Sequence, residues 1–146
     1  QYFEPVFVHA GGRLIGLVWE HKACAYHQFV SDDGGMTWQF TARALQGDAH
    51  AVHPSPFLAE DPAQPGRLLA LVSERAPAQR ISLWTAASDC LQWQRLGLVV
   101  AGDGDWTYPW LTPIGDKQWF LAYYQGEGAK TALYGGTIGI EPARQD

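Results

Sequence analysis

Residues 31 to 40 read SDDGGMTWQF, which gathers two aspartates, two glycines, a threonine and a tryptophan into one short stretch. This is the chemistry of a turn. Asp33 can accept backbone N–H groups inside it, the glycines supply positive φ, and Trp38 can anchor the hairpin that it closes. Upstream, "PVFVHAGGRLIGLVWE" reads as a strand, a tight turn at Gly11-Gly12 and a second strand, with β-branched and aromatic residues on both sides. "GRLLALVSE" and "KQWFLAYYQ" read the same way. No segment carries apolar residues at helical spacing beyond about two turns, so little or no helix is expected.

The pattern repeats. Pro5, Pro56 and Pro109 each open an apolar strand, followed by a turn ("AGGR", "PAQPGR", "IGDK") and a second apolar strand that ends in a polar loop. The first two units continue with two further strands, hinged at "SDDGGMTW" and at its degraded copy "AASDCLQW". The third offers three convincing strands. Four antiparallel strands in a unit that recurs at about fifty residues is the sequence form of a β-propeller blade. The expected fold is therefore all-β: about three blades of four-stranded antiparallel sheet, spanning roughly 1–48, 49–104 and 105–146 of a single segment.

Composition narrows the function classes. At 146 residues, 47% hydrophobic and 17% charged, the chain can bury a core. Its net charge of −5 argues against a nucleic-acid or anionic-membrane surface, and no apolar run approaches the roughly 20 residues that span a bilayer. The N-terminus lacks the basic-then-apolar pattern of a signal peptide, and the chain opens at Gln1 rather than Met, so a preceding segment is expected. Cys24 and Cys90 set neither a metal spacing nor a disulfide framework, and bonded and free states are both open. His50 and His53 lack a third ligand at a recognisable spacing, so neither a metal nor a cofactor is called for. Seven tryptophans and 13% aromatic residues fit a β-rich protein, a sugar-binding one, or both.

Ser31, Asp33, Gly35, Thr37 and Trp38 fill every specified position of the Asp-box pattern Ser-any-Asp-any-Gly-any-Thr-Trp, and the chain resembles the C-terminal half of a six-bladed sialidase-like propeller. In that family the box lies on the face away from the active site, so the resemblance makes these five residues structural. It places ligand-binding loops on the opposite face, among them 2–5, 20–22, 50–54, 73–80, 106–109 and 125–130.

"FEPVFVHAGGRLIGLVWE" is similar to the fourth sialidase blade, and Glu4 falls on the glutamate before its inner strand. "PGRLLALVSERAPAQRISLWTAASD" looks like the fifth, with Arg80 at its loop arginine; "GDGDWTYPWL" looks like the start of the sixth, with Tyr108 at its tyrosine. The resemblance implies a tyrosine nucleophile, Tyr108, with Glu4 as its base. A phenol, with a pKa of about 10 in water, is a poor nucleophile near neutrality until a base takes its proton. Arg80 would bind the sugar carboxylate with its bidentate fork. Where the family has a second arginine this chain has Glu20, with Lys22 as a substitute cation. Trp106 and Trp110 are candidates to stack on a sugar ring, and His53 lines the same face.

The alternatives weighed against these roles are plain ones. Glu4 and Tyr108 could be a rim charge and a packing aromatic, and Arg80 a solvated loop charge. Glu20, Glu74 and Glu127 end the second strands of the three units and read as exposed by repeat symmetry, while Arg13 and Arg67 belong to the opposite-face hairpins and are set aside. Three functions follow in order: a sialidase-like exo-glycosidase segment, a non-catalytic carbohydrate-binding propeller, and a protein-interaction scaffold. Three blades alone leave two apolar faces bare, so the partners expected are a glycan and either the remaining blades or a second copy of the chain as a homodimer.

Overall fold

The computed structural model describes residues 1–45, 55–75, 77–127 and 130–141. Among them there is no helix, and eleven strands form three antiparallel sheets. The first sheet runs β1 (Tyr2–Ala10), β2 (Arg13–Glu20), β3 (Ala25–Ser31) and β4 (Gln39–Ala44); the second runs β5 (Phe57–Glu60), β6 (Arg67–Glu74), β7 (Arg80–Ala87) and β8 (Gln94–Ala101). The third holds β9 (Asp105–Gly115), β10 (Gln118–Glu127) and β11 (Lys130–Gly139). Each strand pairs with its sequence neighbour, so the sheets are up-and-down meanders compatible with propeller-like blades.

Strand β6 shows why the sheets stack. Its sequence RLLALVSE is buried at every position, and its side chains divide by the period of two that a strand imposes. Leu68, Ala70 and Val72 join Ile15, Leu17, Trp19 and Tyr26 in a core between the first and second sheets. Leu69 and Leu71 join Trp106, Leu111, Trp119 and Leu121 in a core between the second and third. Fully burying one such aliphatic side chain contributes about 1.5–3 kcal/mol relative to leaving it in water.

Among the described residues, the outer two sheets are covered on one face only. Tyr2, Phe7 and Phe40 remain exposed on the first sheet, and Phe120, Leu133 and Tyr134 on the third. The innermost strands lie beside one another, β1 against β5 and β5 against β9. That adjacency brings together the starts of three strands separated by about fifty residues each.

The Ser31–Trp38 hairpin joins β3 to β4 at the other end of the sheet, since Ser31 pairs across to Leu14 while the start of β1 pairs with Trp19 and Glu20. Asp33 accepts from the Thr37 hydroxyl at 2.6 Å, the Thr37 amide at 2.9 Å and the Ser31 hydroxyl at 2.7 Å. Ser31 Oγ in turn accepts from the Gly35 amide at 2.8 Å, and Trp38 Nε1 donates to the Gly35 carbonyl at 3.1 Å. Gly34 and Gly35 take φ of 72° and 93°, which a side chain would resist. Cys24 and Cys90 are unbonded.

Candidate functional site

The prolines that open the first and third units also mark a shared break in regularity. Phe3 pairs with Trp19 and Val6 with Leu17, so Glu4 and Pro5 together face the single residue Val18. In the third sheet Thr107 pairs with Tyr124 and Trp110 with Ala122, so Tyr108 and Pro109 face Tyr123 alone. Both are β-bulges, which re-aim the side chains they carry.

The backbone at these bulges is strained. Seven non-glycine residues among those described have positive φ, and five of them stand in turns or at strand ends; the two inside strands are Glu4 at 46° and Tyr108 at 51°. A residue before proline ordinarily stays extended with negative φ. Two such departures at repeat-related positions mark a place where the surrounding structure overrides local preference.

The side chains so aimed converge. Tyr108, 104 residues away along the chain, places its hydroxyl 3.5 Å from Glu4 Oε1. Ser55 precedes the proline of the second unit, and its hydroxyl donates to Glu4 Oε2 at 3.0 Å. The residues before Pro5, Pro56 and Pro109 thus meet around one carboxylate. With Val6 and Trp110 they line a depression of ≈ 250 Å³ whose walls are mainly proline and aromatic carbon. The Tyr108–Glu4 distance is longer than an ordinary O–H···O bond. Tyr108 is 52% exposed and so accessible to a ligand.

Tyr26 is fully buried in the first core. Burial, and then the charges of Glu4 and Glu74, push its hydroxyl far above the ordinary phenol range, against the pull of Arg75. These groups of the first and second sheets therefore share one electrostatic neighbourhood.

Glu74 corrects the expectation of an exposed strand end. It is 1% exposed and accepts from Arg80 Nε at 2.7 Å and from the Ser82 hydroxyl at 2.9 Å. Trp84 Nε1 extends the chain of bonds to Ser82. Arg80 is accordingly an ion-paired side chain across the β6–β7 ladder, with 18% of its side chain exposed, rather than a solvated loop charge.

The other sequence candidates are placed as follows. Glu20 caps its own turn, accepting from the Ala23 amide at 2.6 Å and the Lys22 amide at 3.1 Å. Desolvation raises its carboxyl, but these amides and His27 hold it below the ordinary carboxylate range. Lys22 is exposed beside it. Trp106 is 9% exposed in the second core, with Nε1 donating to the Gly102 carbonyl at 3.2 Å, whereas Trp110 is 59% exposed at the depression and meets Phe57 edge-on. His53 and His50 lie outside the described residues, as does the side chain of Glu127.

Two larger hollows, ≈ 490 and ≈ 510 Å³, lie away from this cluster and share Arg67. Its guanidinium is held by Asp61, Thr85 and the Glu141 carbonyl, which is bracing between the second sheet and the end of the third. Among the described residues no group of three or more metal-ligating side chains occurs.

Ser55 is the cluster member that motif reading passes over. The signal for Ser55 is the repeat itself, because it holds the pre-proline position that Glu4 and Tyr108 hold in their own units. Compared with known proteins, the chain matches no family model and no curated protein.

Proposed function

We propose that this chain carries the nucleophile and the base of a sialidase-type exo-glycosidase, with Tyr108 attacking the anomeric carbon as its bond to the aglycone oxygen breaks, Glu4 taking the phenolic proton and the aglycone leaving as the alcohol, protonated by an acid outside this chain. The observation that carries the reading is the meeting of Glu4 with Tyr108 across 104 residues, at two strained pre-proline bulges. A sialic acid bears a carboxylate on its anomeric carbon, so an anionic nucleophile would be repelled. A neutral phenol avoids that repulsion and becomes competent as the adjacent carboxylate accepts its proton. Trp110 offers an apolar face to the sugar ring beside this pair.

The Ser31–Trp38 hairpin supports the same assignment as a structural Asp box, remote from the chemistry. The bare aromatic faces of the first and third sheets support the expectation that further blades, or a second copy of the chain, cover them. Those blades would have to supply an acid/base carboxylate and further anion-binding arginines.

Turnover of a fluorogenic sialoside by the protein with its missing blades restored, with and without Tyr108→Phe, tests the reading. The variant is expected to lose at least about 10³-fold in kcat, with thermal stability unchanged. Retained turnover would remove Tyr108 from the nucleophile's role.

One observation favours a second reading. Arg80 is already paired with Glu74 at 2.7 Å, and Glu20 stands where the family pattern calls for an arginine. A carbohydrate-binding propeller without hydrolysis would accommodate both. It requires saturable sialoside binding with no product formed, and hydrolysis at enzyme-like rates would discard it.

A further inference from the structure

We propose that Ser55 is a positioning residue for the Glu4–Tyr108 pair: its hydroxyl holds Glu4 Oε2, so that Oε1 is the oxygen presented to Tyr108. The inference rests on the reading of Glu4 as the base. The terminal torsion of a glutamate is broad and roughly two-fold, so an exposed carboxylate left to itself samples many orientations. Glu4 is exposed and sits on a strained backbone, which fixes the root of its side chain but not the tip. Ser55 supplies what the root cannot. It is 7% exposed, so its own hydroxyl is set in place by packing, and it donates to Oε2 at 3.0 Å. Tyr108 meets the other oxygen at 3.5 Å. One oxygen is thereby occupied as an acceptor, and the second is left for the phenolic proton.

The placement is repeat-encoded. Three equivalent positions carry a carboxylate, a hydroxyl and a phenol, each immediately before proline, and β5 lies beside both β1 and β9, which puts the middle position next to both others.

The test uses a chemical probe of Tyr108 that does not need turnover. N-acetylimidazole acetylates exposed phenols in proportion to their nucleophilicity, and peptide mapping by mass spectrometry reads each tyrosine separately. Tyr2 and Tyr134, 52% and 45% exposed, serve as internal references. In the full chain, Glu4→Gln is expected to slow acetylation of Tyr108 by about 10²-fold or more, the range that general-base assistance supplies. Ser55→Ala is expected to slow it by about threefold, a fraction of that assistance, and Ser55→Thr to restore it, with Tyr2 and Tyr134 unchanged throughout.

Slowing by Glu4→Gln with no effect of Ser55→Ala would overturn the positioning role and leave the base reading standing. No effect of either variant would overturn both. Equal slowing at all three tyrosines would overturn the positioning role as well, since it would report general loosening. Should Ser55→Ala not fold, Ser55→Cys, nearly isosteric but a weaker donor, must fall between wild type and Glu4→Gln, and a wild-type rate there would sink the proposal.

Discussion

The Ser31–Trp38 hairpin and the cluster of Glu4, Ser55 and Tyr108 are both polar, both open to solvent and both centred on a carboxylate. They differ in where the partners come from. Asp33 takes its partners from Ser31, Met36 and Thr37, within four residues. Glu4 takes its partners from 51 and 104 residues away, at the entry to the second sheet and within the third. The hairpin's left-handed positions are glycines, whereas those of the cluster are a glutamate and a tyrosine. A polar group satisfied by its own neighbours closes a turn and leaves nothing over for a ligand. A polar group assembled from three units on backbone that its own sequence disfavours has been held there by the rest of the fold, and strain of that kind collects at functional sites.

The comparison breaks if the hairpin proves dispensable. Ser31 is 2% exposed, donates to Asp33 and accepts from the Gly35 amide. Ser31→Ala removes both bonds and leaves a turn amide without its acceptor, at a cost of about 1–2 kcal/mol in urea denaturation. Reactivity and ligand handling at Tyr108 are expected to stay at the wild-type level in the same variant. A change at Tyr108 without loss of stability would reverse the roles given to the two regions.

It sharpens if the strain can be measured. In an ordinary strand, glycine is less stable than alanine by about 0.5–1 kcal/mol. At a left-handed position the order inverts, because an L side chain there costs about 1–2 kcal/mol. Glu4→Gly is therefore expected to be more stable than Glu4→Ala by about 0.5–1 kcal/mol, both variants lacking the carboxylate. Alanine above glycine would mean that the backbone at Glu4 relaxes freely and that the bulge stores nothing.

Most of the fold was legible in the sequence because its signals are local. The alternation in "PVFVHA", the glycine turns and the three prolines specify strands and hairpins without reference to anything distant. The all-β reading and the three-stranded third sheet follow from them. Glu4 and Tyr108 were legible as a pair only through family resemblance, and Ser55 not at all, since a serine before a proline is ordinary loop chemistry until the three units are aligned on their prolines. The positive φ at Glu4 and Tyr108 was invisible because glycine and asparagine announce that conformation and a pre-proline residue announces its opposite. Glu74 was misplaced for a related reason. Its repeat counterpart Glu20 caps a turn from a partly exposed position, and periodicity carries no record that Arg80 and Ser82 would close over the second copy.

The smallest effect concerns pH and isolates the hairpin's electrostatics. The Thr37 hydroxyl and amide and the Ser31 hydroxyl hold the Asp33 carboxyl at about 2, against a slight upward pull of desolvation, where the reference value is 3.8. A folded value below the unfolded one means that the hairpin prefers the ionised carboxylate. Its stabilisation is complete above the unfolded value and disappears as pH falls through the folded one. Wild type should therefore exceed Asp33→Asn in Tm by its largest margin above about pH 5, with the margin shrinking as pH falls toward about 2. A margin that widened on acidification would contradict the hydrogen-bond assignment. Because Asp33 and Glu4 share no partner and stand at opposite ends of the first sheet, the same narrowing should survive in a Glu4→Gln background. Loss of it there would show the two regions to be coupled, and the hairpin to be part of the site.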